Sequence, residues 1–303
     1  MGNVAVGYDV LGSVLNCMGD RVTVRRLDDP TVRIGRITGR VPDLPTAPAD
    51  NTATKALLDL QAAHHLDTGF EVDIEKGIPL GSGLGGSAAS AVGAVVAAAE
   101  LLPGEWTEED LLPHALIGEE VASGAIHPDN VAPCLYGGLV LTREIDPPDV
   151  VPIPVPESIQ CVLVRPDQVI ATRDARACLP TELPLPESVR QTAHLGAFVA
   201  GCYRNDIGLI GRSLRDLIVE PHRAGLVPGL AEVQSAAMEA GALGCSLSGA
   251  GPTLFAWSEA GTTTEAVREA MVSAFAGHDI PTEAWVSRIP EQGARIVEPT
   301  PAQ

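Results

Sequence analysis

The sequence predicts an α+β fold in two lobes, and three observations carry that prediction. Strand-like and helix-like segments mix along the chain without the regular strand–helix–strand rhythm of a doubly wound sheet. A proline-dense stretch, Asp146 to Pro156 (DPPDVVPIPVP), reads as a connection between lobes or an edge strand. The 303 residues suit two domains or one large one. The division expected from this pattern is 1–153 and 154–303.

In chain order, Phe70, Val72 and Ile74 alternate with Glu71, Asp73 and Glu75, a period-two strand with one wet face. From about Ser87 to Leu102 the small-residue run SAASAVGAVVAAAELL reads as a closely packed helix, ended by Pro103-Gly104. A second helix starts at Thr107 and runs to about Ser123; Glu108 and Glu109 lie in its first turn, where the helix dipole favours acids. Strands are expected at Tyr136–Thr142 and Gln160–Arg165. Leu185 to about Val219 reads as mostly helical, interrupted near Asn205-Asp206. Strands at 252–257 and 282–287 flank a helix at Thr262–Ala276. There is no internal repeat and no low-complexity tail.

The formal net charge is −19, and the only lysines are Lys55 and Lys76. Bulk electrostatics therefore argue against a nucleic-acid partner. An anionic ligand must be held by local devices: glycine loops, helix N-termini, a few arginines or a metal ion. Cys17, Cys134, Cys161, Cys178, Cys202 and Cys245 form neither C-x-x-C nor a cluster with histidines, which reads as reduced thiols in a cytoplasmic protein. No signal segment is expected at the start. The most apolar stretch, Ala88 to Leu102, is too short for a membrane span.

The segment GIPLGSGLGGSAAS (Gly77–Ser90) poses the functional question. Gly81 to Gly86 fits G-x-G-x-x-G. That fingerprint needs a buried parallel strand before it and an acid at a strand end about 20 residues on. Here the preceding strand alternates with charges, and the later region, LLPGEWTEED, is a turn and a helix start. A P-loop needs lysine after the last glycine, and Ser87 stands there. What the two motifs share is a glycine loop delivering backbone N–H groups to a helix N-terminus, a phosphate cradle. The competing reading is a tight turn that merely caps a buried helix; four glycines in six residues, flanked by serines, favour the cradle.

Pro79 to Ala89 resembles the phosphate-binding motif of the GHMP small-molecule kinases. Asn3 to Gly12 (NVAVGYDVLG) resembles their N-terminal segment in its homoserine kinase form, and Leu247 to Thr253 (LSGAGPT) resembles their third glycine loop. HPDNVAPCLYGGLVL (127–141), TRDARACLP (172–180), EPHRAGLVPG (220–229) and RIPEQGARIV (288–297) are similar to homoserine kinase segments in the same order. The resemblance covers nearly the whole chain. It implies an N-terminal S5-like α+β lobe and a C-terminal ferredoxin-like one. It also implies ATP-dependent phosphorylation of L-homoserine in threonine biosynthesis, with Mg2+, no membrane partner, and room for a homodimer.

Site roles follow from the same resemblance. Asp9 takes the substrate ammonium, with Asn3 near its hydroxyl. Arg176 and Arg223 take the carboxylate, which a planar guanidinium suits. His127 and Thr172 line that pocket. The ATP loop comprises Pro79, Leu80, Gly81, Ser82, Gly83, Leu84, Gly85, Gly86, Ser87, Ala88 and Ala89, with Asn51 and Lys76 near the nucleotide. Glu119 and Ser87 stand at the magnesium positions. Asn130 occupies the place where several GHMP kinases have an aspartate base. Asparagine cannot accept the hydroxyl proton, so catalysis without a dedicated side-chain base is implied, with Asn130 and Glu119 as the catalytic pair.

Three departures stand out. Homoserine kinases usually have a further strand before the Asn3 segment; either the start was assigned downstream or the chain is truncated here, and if the strand is truly absent an open sheet edge and a frayed terminus carrying Asn3 and Asp9 are expected. Gly86 stands where serine is common, and Tyr8 where phenylalanine is. Two alternatives accompany the main reading: another GHMP kinase with a different alcohol substrate, and a relic that binds nucleotide without turnover.

Overall fold

The computed structural model describes residues 1–297; the last six residues of the expected 154–303 lobe lie outside the described residues. The elements are β1 (Leu11–Ser13), β2 (Arg21–Leu27), β3 (Val32–Gly39), α1 (Thr52–Ala63), β4 (Gly69–Lys76), α2 (Gly86–Ala99), α3 (Glu108–Ser123), α4 (Pro128–Tyr136), β5 (Leu139–Ile145), β6 (Pro148–Ile153), β7 (Ile159–Pro166), α5 (Thr172–Ala177), α6 (Leu185–Arg204), α7 (Ile207–Ser213), α8 (Glu220–Arg223), α9 (Leu230–Glu239), β8 (Gly244–Leu247), β9 (Leu254–Glu259), α10 (Thr262–Ala276) and β10 (Thr282–Ser287). Among the described residues they form three sheets, ordered β2-β4-β3, β1-β5-β6 and β10-β7-β9-β8.

The wet face expected of β4 is a charge ladder. β4 lies between β2, antiparallel, and β3, parallel. Phe70, Val72 and Ile74 turn into a core shared with Leu57 and Leu60 of α1 and with the alanines of α2. On the other face Arg25 bonds Glu71 and Asp73 at 3.3 Å and 2.8 Å, and Arg33 bonds Glu71 at 2.9 Å. Such cross-strand pairs replace the helix cover that a buried parallel strand would need.

The small residues of α2 and α3 allow backbone-distance packing. A Cβ at Gly118 would lie 2.5 Å from the Thr52 carbonyl. Glycine there lets α3 close onto the start of α1, which carries the next residue, Glu119, toward α2. At the head of α3, Thr107 and Asp110 form a capping box.

β7 is central in the four-stranded sheet, with β9 and β10 antiparallel to it. The α9 and α10 side chains pack one core with Val162, Val164 and Leu254. A further core joins the sheets: Leu11, Leu139 and Ile153 meet Ile159, Leu163, Phe198 and Trp257. The expected break in the long helix is a residue-level event. Asn205 closes α6 in a left-handed conformation (φ 53°), and Asp206 caps α7 through Leu209 N.

Three expectations need correction. Tyr136 ends α4 rather than starting a strand; Gly137 and Gly138, at φ 86° and 63°, turn the chain before β5 begins at Leu139. Helix stops at Ser213, because Leu214–Val219 is a turn in which the Asp216 carboxylate accepts from Ile218, Val219 and Glu220 N–H groups. The N-terminal segment is not frayed. Met1, Asn3, Val4, Ala5 and Val6 are buried, and Gly2 bridges Gly12 along the outer side of edge strand β1. The segment is also bent: Asn3, Val4 and Ala5 sit at φ 69°, 42° and 57°, costly for non-glycine residues and for β-branched Val4 above all.

Candidate active site

The glycine loop between β4 and α2 is pinned through its carbonyls. Ile170 N donates to Gly81 O (3.2 Å), Thr253 Oγ1 to Ser82 O (2.6 Å) and Ser248 Oγ to Gly83 O (2.8 Å). Within the loop, Ser82 Oγ donates to Pro79 O (2.7 Å). Gly81, Gly83 and Gly85 have φ of 57°, 76° and 72°, a region glycine enters without the Cβ penalty. A Cβ at Gly83 would also sit 2.3 Å from the Ser248 carbonyl. Gly85 is the N-cap of α2, and no side chain caps it. The opening N–H groups of α2 thus have no side-chain cap, the arrangement that attracts an anion. Leu84 and Ala88 anchor the loop from below, and Leu80 projects from its rim.

Lys76 lies behind this cradle. Its buried ammonium is ion-paired to Asp20 and donates to Gly86 O at 2.6 Å and Ser90 Oγ at 2.9 Å. It braces the loop from the rear. The Asn51 side chain is likewise engaged: it accepts from Ala53 N as the cap of α1 and donates to Pro45 O.

Beside the start of α2, Ser87 Oγ donates to Glu119 Oε1 at 2.9 Å. Glu119 is buried. Desolvation pushes its carboxyl up to about 7; the Ser87 hydrogen bond opposes the rise.

Asp9, at φ 59°, faces Arg176 on α5. Arg176 Nη2 donates to both Asp9 oxygens, at 2.9 Å and 3.0 Å, and lies 3.0 Å from His127 Nδ1. Burial, and then the Arg176 charge, hold the His127 imidazole below its ordinary pKa, so it is neutral and accepts. Thr172 opens α5 one turn before Arg176. Two cations approach the Tyr8 ring, with the Arg176 and Arg223 guanidinium carbons each 5.4 Å from its centre. Arg223 is buried and donates to Ala175 O and Gly249 O, both at 2.9 Å. Asn3 Nδ2 donates to the same Gly249 carbonyl, and Asn3 Oδ1 accepts from Asp9 N. Gly249, in the loop after β8, therefore ties both lobes to the pocket.

Asn130 connects pocket and cradle. Its Oδ1 is buried without a partner, and a Cβ on Gly85 would come within 3.1 Å of it. Its Nδ2 donates to Asp129 Oδ1 at 3.3 Å. Asp129 is a site residue that sequence reading missed. It is buried, accepts from Asn3 N at 3.1 Å, and is pushed up to about 7 by desolvation and then by the Asp9 charge. The only local signal is an acid beside Asn130; its burial depends on a segment 126 residues away.

Comparison with known proteins agrees over nearly the whole chain. The family model for the GHMP kinases N terminal domain matches residues 51–138, and that for the GHMP kinases C terminal domain matches 198–277. The chain is 47% identical over 296 residues to a homoserine kinase of Xanthomonas campestris, covering 97% of this chain and 91% of that protein. It is 41% identical over 309 residues to a homoserine kinase of Chlorobium phaeovibrioides, covering 98% and 97%. The crystal structure of a homoserine kinase from Cytophaga hutchinsonii superimposes with a TM-score of 0.92 at 44% identity, covering 96% and 92%. An L. major mevalonate kinase shares the fold at a TM-score of 0.65 and 18% identity, covering 91% and 87%.

Proposed function

The chain belongs to the homoserine kinases, within the GHMP kinases, and on that premise we propose how its residues carry out the reaction. The reaction is transfer of the γ-phosphoryl group of ATP to the side-chain hydroxyl of L-homoserine. The observation that carries the site reading is the Asp9–Arg176 pair beside a glycine cradle. A carboxylate and a guanidinium held together are complementary to a zwitterion, which offers one opposite charge to each.

In this reading Asp9 takes the substrate ammonium. Arg176 and Arg223 take the carboxylate, stacked on Tyr8. Asn3, His127 and Thr172 complete the pocket wall. The cradle from Pro79 to Ala89 holds the triphosphate through backbone N–H groups, and Lys76 and Asn51 act from behind by fixing the loop and the start of α1. The Ser87 hydroxyl and Glu119 carboxylate are hard oxygen donors that fit Mg2+. That ion, when bound, neutralises phosphate charge.

Asn130 stands where the two subsites meet. It orients the hydroxyl and cannot take its proton. Asp129 accepts from Asn3 N and Asn130 Nδ2 and so holds Asn130 in place. The hydroxyl oxygen bonds to the γ-phosphorus, the bond to the β–γ bridging oxygen breaks, and the proton passes to phosphate oxygens. Alignment and charge neutralisation supply the catalysis. We place the lobe boundary at 153/154, in the link between β6 and β7, and the reaction in cytoplasmic threonine biosynthesis. Mevalonate or galactose kinase chemistry fits less well, because paired arginines address an amino-acid carboxylate. ADP release measured with L-homoserine, mevalonate and galactose separately tests the assignment.

A further inference from the structure

At the far end of α1 from its Asn51 cap, two imidazoles from different helices face each other. His64 closes α1, and His114 lies on α3. Their Nε2 atoms are 3.2 Å apart. Behind them, His114 Nδ1 lies 2.7 Å from the Asp59 carboxylate. Trp106 packs edge-on against the His64 ring, with centroids 4.7 Å apart. None of these residues belongs to the site above.

The carboxylate settles the tautomer of His114. Asp59 accepts the Nδ1 proton, which leaves Nε2 as a bare lone pair pointing at His64. Two bare nitrogens at this separation repel, so either a proton or a cation lies between them. A zinc ion binds imidazole nitrogen at about 2.0–2.1 Å, which puts two ligands on a tetrahedral ion roughly 3.3 Å apart. The observed separation matches, and the carboxylate–histidine arrangement is the one that orients and strengthens metal-binding imidazoles. Asp110 is close enough to interact electrostatically with both rings and adds negative charge.

We propose that His64 and His114, backed by Asp59, form a surface site for a divalent transition ion of the zinc type that staples α1 to α3. Among the described residues no group of three or more His, Cys, Asp or Glu is arranged for a metal, so water completes this two-imidazole site. His64 then carries its proton on Nδ1 and both rings bind through Nε2.

Zn2+ titration of the metal-free chain tests this, with Mg2+ in excess to occupy the carboxylates near Ser87. Wild type should bind one Zn2+ at the site and melt at a higher temperature with it. His64→Ala should weaken that binding at least tenfold and abolish the zinc-dependent shift while leaving kinase activity unchanged. Asp59→Asn should also cost tenfold or more through loss of orientation. Absence of binding in wild type, or undiminished binding in His64→Ala, overturns the proposal in favour of a plain hydrogen-bonded pair.

Discussion

Arg176 Nη2 bonds both carboxylate oxygens of Asp9, at 2.9 Å and 3.0 Å, and His127 Nδ1 at 3.0 Å. One guanidinium nitrogen thus meets three acceptor atoms on two residues, the farther of them 167 positions away in sequence. An arginine so placed is oriented before a carboxylate arrives. A charge-assisted hydrogen bond contributes about 1.5–3 kcal/mol. Arg176→Ala should therefore raise the KM for homoserine roughly tenfold to a hundredfold and change that for ATP little. Equal effects on both substrates would contradict the site reading.

Both arginines contact the Tyr8 ring. A cation–π contact contributes about 0.5–2 kcal/mol. Tyr8→Leu should raise the homoserine KM several-fold, and Tyr8→Phe, which keeps the ring, should stay near wild type. Steady-state kinetics of the two variants decide; parity between them would show that the ring is not needed.

Glu119 ties proton binding to metal binding. Its pKa rises from 4.5 to about 7 on folding. The folded state therefore binds the proton more tightly than the unfolded state. The stability this contributes is full below the unfolded value and is lost as pH rises through about 7. Between about pH 5 and pH 8, metal-free wild type should lose more stability than Glu119→Gln, as read from urea midpoints. Mg2+ should stabilise wild type more at the alkaline end, where no proton competes. Parallel pH profiles for the two proteins would refute this linkage.

Asn130→Asp should not raise turnover. The substitution removes a donor to Asp129 and sets a second acid beside one already pushed up to about 7. A rate gain with a new acidic limb in the pH profile would sink the mechanism without a base.

Gly83→Ala meets both a positive φ of 76° and the Ser248 carbonyl at 2.3 Å. The loop cannot keep its place, so ATP affinity should fall at least tenfold. Gly196→Ala, in open space on α6, serves as control and should stabilise the helix by up to about 1 kcal/mol. Isothermal titration with a nonhydrolysable ATP analogue separates the two.

Local chemistry explains what was legible in the sequence. The helix Thr262–Ala276 and the strand Thr282–Ser287 coincide with α10 and β10, because their patterns and turn residues agree. The break at Asn205-Asp206 was legible because asparagine accepts the left-handed conformation and aspartate caps. α4 was not foreseen: Pro128 and Pro133 mask it, although proline at a first helical turn is favourable. Nor was α1, despite the Asn51 cap, or β2 and β3, whose exposed arginines dilute the alternation. Asn3, Asp9, His127, Arg176 and Arg223 gather in one pocket. The roles of Lys76 and Asn51 behind the loop, and the burial of Asp129, depend on partners far along the chain. No window of sequence contains those contacts.

In the proposed function, this pocket selects a zwitterionic amino alcohol for phosphorylation beside the Gly81–Gly86 cradle. Coupled ADP release with Mg2+ and ATP tests it most directly. Turnover is expected with L-homoserine, and little with mevalonate, galactose, or homoserine analogues lacking either the amino or the carboxylate group. Preferred turnover of mevalonate or galactose, or ATP binding with no release on any of them, would contradict it.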